Sequence, residues 1–272
     1  MDDARRDNRD NWDDRVAIHW GPDGYDAPGF IADPSRISGT VEADRDVLGD
    51  VAGKRLLHLQ CHFGKDTLSW ARLGAVVTGI DFSPKAITAA RRMSAESGTP
   101  GRFIESELYA APEVLDEQFD IVVTGVGAIN WLPDIRGWAD VVDHFLAPGG
   151  TFYLREGHPM LWSLDHERAD DLLVVRHPYF EGPVQTWDDA VSYAGTGMVE
   201  HTRHHEWSHG LSEVIGSLLD VGLTLTHFAE HREVEWPGLD LMKEGSDGRW
   251  RLPLPLRDRV PLMYTVMATK PA

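Results

Sequence analysis

The sequence has one cysteine, Cys61, in 272 residues, so an internal disulfide is impossible. That fits a reducing compartment, and a cytoplasmic location is the expectation. Long apolar runs are also missing, and nothing approaches the length of a membrane span. The opening MDDARRDNRDNWDD has no apolar core of the kind a secretory signal needs, so no such signal is expected. Basic charge is scarce, with 26 Lys and Arg against 44 Asp and Glu, a net charge of −18. A surface of that sign repels phosphate backbones. Neither nucleic acid nor a membrane is therefore an expected partner. No internal repeat and no low-complexity tract occurs. The length suits one decorated domain.

The chain divides into three stretches. Residues 1–53 are polar and rich in Asp and Arg, with Trp12, Trp20, Tyr25 and Phe30 as apolar anchors. They read as irregular structure plus one short helix near 41–48, and as a lid or cap on the rest of the chain. Residues 54–156 alternate strand and helix signals. RLLHL, AVVTGID, GRFIE, FDIVVTG and GGTFYLRE are short apolar runs bounded by glycine or charge. Between them, DTLSWARL puts Leu68, Ala71 and Leu73 on one helical face, with Gly74 as the stop. Ser83-Pro84 is a helix start that should run to about Gly98. WADVVDHF aligns Trp138, Val141, Val142 and Phe145 on one face. Such alternation predicts a parallel sheet with right-handed crossovers.

The third stretch differs. PVQTWDDAVSY and MVEHTRHHEW alternate as a β-hairpin joined through Gly195 and Gly197. SHGLSEVIGSLLDVG reads as a helix with Leu211, Val214, Ile215, Leu218 and Leu219 inward. LTLTHFAEH and LMYTVMATK read as closing strands, and the Pro/Trp-rich segment between them as a loop packed over the site.

Ligands of open α/β sheets bind beyond the carboxyl ends of the strands. In RLLHLQCHFGKDTL a strand enters a tight turn, Gln60, Cys61, His62 and Gly64, and then a helix starting near Asp66 and Thr67. The free amides of that helix start suit a carboxylate. The second strand ends in Asp81, 17 residues after Gly64, where an acid can accept from a ribose diol. The third ends near Glu107, which could accept from an adenine amino group while the Leu108 amide donates. The fourth ends in Gly125-Val126-Gly127, leaving room for a ligand. Four features fall in order at the ends of successive strands.

On these residues, Lys54 to Glu156 resembles the class I S-adenosylmethionine-dependent methyltransferases. The run HLQCHFGKDTLSWARLGA-VTGIDFSP is similar to that of a bacterial small-molecule subgroup, and REGHP, EWSHGLSEVI and WRLP extend the likeness over most of the chain. The resemblance implies a Rossmann-like, seven-stranded, mostly parallel sheet with flanking helices and an antiparallel last strand. Residues 54–272 would form the methyltransferase domain, with 157–208 as an acceptor-side insertion containing the hairpin. It implies S-adenosylmethionine as cofactor, Gln60 to Gly64 around its amino-acid end, Asp81 on the ribose, Phe82 beside the adenine, and Glu107 with Leu108 on the adenine edge. A small-molecule acceptor follows, and a homodimer is one assembly compatible with the class.

The departures are specific. Where the family turn carries an acid and three alternating glycines, this chain has His58, Gln60, His62 and Gly64. A dinucleotide dehydrogenase needs those glycines for its pyrophosphate. The Asn/Asp-Pro-Pro-aromatic motif of amino-group methyltransferases is replaced by Ala128-Ile129-Asn130-Trp131-Leu132. For proton removal, His158 after the fifth strand is the first candidate, with Glu156 beside it, and His209 the second. Trp12 and Tyr25 are expected to close over the cofactor, and Trp20, Trp131 and Trp207 to wall the acceptor pocket. His201, His204, His205 and His209 invite a metal, but a strand splits them between faces and no metal is expected. Two other readings remain: a non-catalytic S-adenosylmethionine-binding protein, and a metal-dependent enzyme centred on the His-rich hairpin.

Overall fold

A computed structural model describes residues 1–168 and 170–272. Three helices precede the first strand: α1 (Asp3–Trp20), α2 (Ala27–Ala32) and α3 (Gly39–Leu48). This corrects the expectation of a largely irregular N-terminus. The buried residues of α1 are Asn8, Asn11, Arg15, Val16 and His19. Their spacing is helical, but the stripe is almost wholly polar, so apolar periodicity could not reveal it. Asp2 caps the helix by accepting from the Arg5 amide at 2.9 Å.

From β1 (Arg55–Leu59) the chain alternates through α4 (Lys65–Arg72), β2 (Val76–Asp81), α5 (Pro84–Ser97), β3 (Arg102–Glu105), a short α6 (Ala111–Val114), β4 (Phe119–Thr124), α7 (Ile135–Phe145) and β5 (Leu146–Gly157). Ser83 caps α5 through its hydroxyl, and Gly98 ends the helix in the left-handed region. After β5 come the one-turn helix α8 (Pro159–Trp162), the hairpin β6 (Gln185–Asp188) with β7 (Arg203–Glu206), and α9 (Leu211–Asp220). The chain closes with β8 (Thr224–His231), the short strands β9 (Glu233–Val234), β10 (Lys243–Glu244) and β11 (Trp250–Arg251), and β12 (Met263–Thr269).

The main sheet has seven strands in the order β3-β2-β1-β4-β5-β12-β8. β12 runs antiparallel to both neighbours, and the pairings among β1 to β5 are parallel. The order reverses between β1 and β4, and this switch point opens a crevice at the strands' carboxyl ends. One core layer packs Trp138 and Phe145 of α7 and Val214 and Leu218 of α9 against Phe152 and Tyr264. Each such side chain contributes roughly 1.5–3 kcal/mol by leaving water. A second layer joins Val41 and Leu48 of α3 to Trp70, Leu56 and Tyr153.

Two expectations need correction. Leu219 is 49% exposed, because α9 turns it to solvent beyond the covered face. The segment before β12 is not a loop over the site. It folds into a small three-stranded sheet, β10-β11-β9. Val234 of that sheet and the neighbouring Leu239, Met242 and Leu252 pack with Leu161 of α8 and Leu164 just after it.

Candidate active site

The turn after β1 keeps a glycine-like backbone with a single glycine, Gly64. Gln60 (φ 56°), His62 (φ 52°) and Gly64 (φ 76°) all lie in the left-handed region. Only Gly64 is sterically forced, since a Cβ there would run into the Phe103 ring. The bend aims the His62 amide at Asp81 Oδ2, 2.8 Å away. Asp81 Oδ1 accepts from the Ser83 amide at 2.9 Å. Each carboxylate oxygen therefore keeps a second lone pair. Burial pushes the Asp81 carboxyl up to about 6, against the pull of those amides. His58 donates or accepts at Thr67 Oγ1 (2.9 Å), and burial holds it down to about 4.

The crevice beside this turn is a cavity of about 130 Å³. Of the predicted cofactor residues, Trp12, Tyr25, Gln60, Cys61, His62, Asp66, Asp81, Phe82, Glu107, Leu108, Gly125 and Val126 line it. Gly64 and Thr67 stand just behind, Gly64 as the N-cap position of α4 and Thr67 under His58. Among the described residues no side chain caps α4, and its first amides lack a capping group. Gln60 Oε1 and His62 Nε2 are buried on the wall without a partner.

Arg5 and Tyr193 also line this cavity and were not legible in the sequence. Arg5 Nη1 reaches Glu107 Oε1 at 3.0 Å, while Glu107 Oε2 accepts from the Tyr109 amide. Tyr193 arrives from the hairpin and shares a hydroxyl contact with Tyr25. Helix α1 is fastened to the hairpin through side-chain amides. Asn8 exchanges two hydrogen bonds with the His205 backbone (2.8 and 2.7 Å), and Asn11 donates to the His201 carbonyl. Asp14 Oδ2 accepts from the amides of Glu200 and His201.

The predicted acid–base residues separate. Glu156 is 1% exposed, and its two oxygens accept four backbone amides: Gly127 (2.6 Å) and Gly157 (2.7 Å) on Oε1, Ala128 (2.8 Å) and Ile129 (3.3 Å) on Oε2. It shapes the loop after β4 and has no free lone pair for catalysis. His158 caps α8, its Nδ1 accepting from Met160 and its Nε2 facing Glu230 at 3.1 Å. With both nitrogens engaged, it lines neither this cavity nor the next. The first candidate base is thus a helix cap, because REGHP is a strand-to-helix junction. Trp20 packs on Phe63 and under Arg92, outside both cavities.

Trp131 lines the first cavity, whereas Trp207 and His209 line a second, adjoining one. His209 Nε2 lies 2.8 Å from the Leu132 carbonyl, and Nδ1 has no partner. In the hairpin, His205 turns to Asp7 and His201 to Asp14, while His204 packs on Trp131. Among the described residues no group of three His, Cys, Asp or Glu is placed to hold a metal ion. No helix among them is long and apolar enough to cross a membrane.

Residues 57–152 match the family model described as a methyltransferase domain. The ubiquinone biosynthesis O-methyltransferase of Idiomarina loihiensis is 32% identical over 137 residues, 49% of this chain and 53% of that protein. The corresponding protein of Xanthomonas axonopodis pv. citri is 32% identical over 138 residues, 50% of this chain and 54% of its own length. The chain thus spans about half the length of these curated relatives. Among solved structures, an S-adenosylmethionine-dependent methyltransferase from Mesorhizobium loti superposes with TM-score 0.58 at 19% identity, over 84% of this chain and 96% of that one. A glycopeptide N-methyltransferase bound to S-adenosylmethionine gives TM-score 0.56 at 21% identity, over 87% and 96%.

Proposed function

We propose that this chain, which shares the fold of a solved S-adenosylmethionine-dependent methyltransferase, transfers a methyl group from S-adenosylmethionine to a small-molecule acceptor. The observation that carries this is the convergence of Asp81, Glu107, Leu108 and the Gln60–His62 turn on one cavity at the switch point. Those groups fit the cofactor chemically. The second lone pairs of Asp81 suit a ribose diol, and the uncapped start of α4 suits a carboxylate. Gln60 Oε1 and His62 Nε2 are buried polar atoms that a ligand would satisfy.

When bound, the cofactor supplies an electrophilic methyl group. The protein's task is then to align an acceptor and exclude water. In this reading residues 1–53 form the lid, through α1, and 157–208 the acceptor side. The net charge of −18 speaks against a polyanionic acceptor such as nucleic acid. The single unpaired cysteine is in keeping with a cytoplasmic enzyme.

Calorimetric titration with S-adenosylhomocysteine tests the cofactor site. Asp81→Ala should lose charged hydrogen bonds of about 1.5–3 kcal/mol, at least a tenfold fall in affinity. Equal affinity in wild type and variant would remove Asp81 from the site. Turnover against an acceptor panel separates an enzyme from a protein that only binds the cofactor.

A further inference from the structure

The second cavity, about 350 Å³, adjoins the first along the loop after β4, where Ile129 and Asn130 line the second and Ala128, Trp131 and Leu132 the first. The Trp131 ring lies 5.2 Å from that of Trp12, which lines the first cavity, and 5.4 Å from that of His204, which lines the second. Four buried side-chain atoms without a hydrogen-bond partner belong to residues lining it: Asn130 Oδ1, Trp187 Nε1, His209 Nδ1 and the Tyr264 hydroxyl. The described residues hold eight such atoms, so half of them gather here. Folded proteins seldom leave such groups unmade, and a cluster of them on one wall marks a place where a ligand completes the bonding.

The chemistry of the four defines what fits. Trp187 can only donate and Asn130 Oδ1 can only accept. His209 is fixed by its neighbour. The Leu132 carbonyl 2.8 Å from Nε2 has no proton to give, so Nε2 carries it. Burial also keeps the ring neutral, leaving Nδ1 a bare lone pair. The flat faces of Trp162, Trp187 and Trp207 supply the apolar surface. Charge disfavours anions: Glu167 and Asp189 line the wall, and Arg176 is held by Asp165 and Glu167.

We infer that this second cavity binds the methyl acceptor, a planar, uncharged or cationic ring bearing an O–H or N–H whose proton passes to His209 Nδ1. The inference rests on the methyl-transfer reading above. The balance is simple. The S–CH₃ bond breaks with its electron pair left on sulfur, an O–CH₃ or N–CH₃ bond forms, and the acceptor's proton moves to the imidazole.

The test uses the full chain with and without S-adenosylhomocysteine, titrated calorimetrically with catechol, 2-aminopyridine, benzoate and cyclohexanol. Catechol or 2-aminopyridine should bind, and at least about tenfold more tightly than benzoate or cyclohexanol. Trp187→Phe should weaken that binding roughly fivefold to tenfold, the share of one neutral hydrogen bond. His209→Asn should leave probe affinity within a few-fold but slow methylation of the bound probe roughly a hundredfold or more, and remove the acid limb of its pH profile. Unchanged S-adenosylhomocysteine affinity certifies that each variant is folded. Benzoate binding as tightly as catechol, or an unaffected Trp187→Phe variant, would overturn the assignment. Probes that fail to bind while S-adenosylhomocysteine binds defeat the acceptor cavity alone. Probes that bind while S-adenosylhomocysteine does not defeat the methyl-transfer reading, and the acceptor role with it.

Discussion

Glu156→Gln separates a chemical role for this residue from a scaffolding one. The carboxylate accepts the amides of Gly127 and Gly157 on one oxygen and of Ala128 and Ile129 on the other, at 2.6–3.3 Å. An amide side chain keeps only one oxygen. Its NH₂ group would be set against two N–H donors, and neither pair can bond. Two hydrogen bonds to a charge are lost, each about 1.5–3 kcal/mol, for a total of roughly 3–6 kcal/mol. Set against a whole-domain stability of about 5–15 kcal/mol, that loss is large. It also falls on a loop, Gly125 to Ala128, that lines the first cavity. Urea unfolding should show a markedly lower midpoint, and calorimetry a weaker S-adenosylhomocysteine complex. A Glu156→Gln protein with wild-type midpoint and cofactor affinity but no turnover would refute this reasoning and make Glu156 a proton acceptor.

Two further predictions concern pH and the lid. Asp81 sits at about 6, above its ordinary 3.8, so its contribution to stability is full below about pH 4 and is lost as pH rises through 6. Asp81→Asn should therefore gain on wild type by up to roughly 3 kcal/mol across that window, and chemical denaturation at pH 4 and 7 measures the difference; a constant difference would mean that Asp81 does not titrate there. Cofactor binding should move the other way, weakening below about pH 6 as the acceptor is protonated. The first cavity is small beside ligand pockets of roughly 300–1,000 Å³, so α1 should open to admit the cofactor and close over it. Hydrogen exchange of residues 5–30 should slow on saturation, Asn8→Ala should speed it by freeing the hairpin contact, and unaltered protection would count against the lid.

β1, β2 and β4 were legible because each is a short apolar run next to a helix with a clear start or stop. Ser83-Pro84 and Gly98 bracket α5 as expected. The same logic failed in α1, where the buried stripe is Asn8, Asn11, Arg15 and His19. A reading tuned to apolar periodicity sees no helix in a stripe that buries amides. The signal available was helical spacing of Asn, Arg and His in a stretch free of Gly and Pro up to Gly21. The positions of Asp81, Glu107 and Gly125 followed from strand ends, which local sequence marks. Arg5 and Tyr193 reach the cavity from elements joined to it only by tertiary contacts, and nothing local announces those. His158 looked like a base because a histidine after a strand end often faces a crevice. Here the chain turns at once into α8, and the imidazole caps it.

The turn after β1 bears on whether this cavity is a working site or a relic of the fold. Gln60 and His62 hold left-handed backbone at a cost of order 1–2 kcal/mol each for residues other than glycine. Gln60 recovers part of this by donating to the Ala128 carbonyl at 2.9 Å, and His62 by burying its ring among Trp12, His19 and Phe63. A plain strand-to-helix connection has no reason to hold that path. The path is what turns the His62 amide to Asp81, and it leaves Gln60 Oε1 and His62 Nε2 on the wall unmet. Strain and unmet polar groups coincide where a ligand would answer both, which favours binding over a vestigial fold. Binding alone would fit a sensor as well as an enzyme. A sensor of the cofactor has no need of the second cavity, whose lining with its unmet donors and acceptors adjoins the first, and that neighbour tips the balance toward transfer.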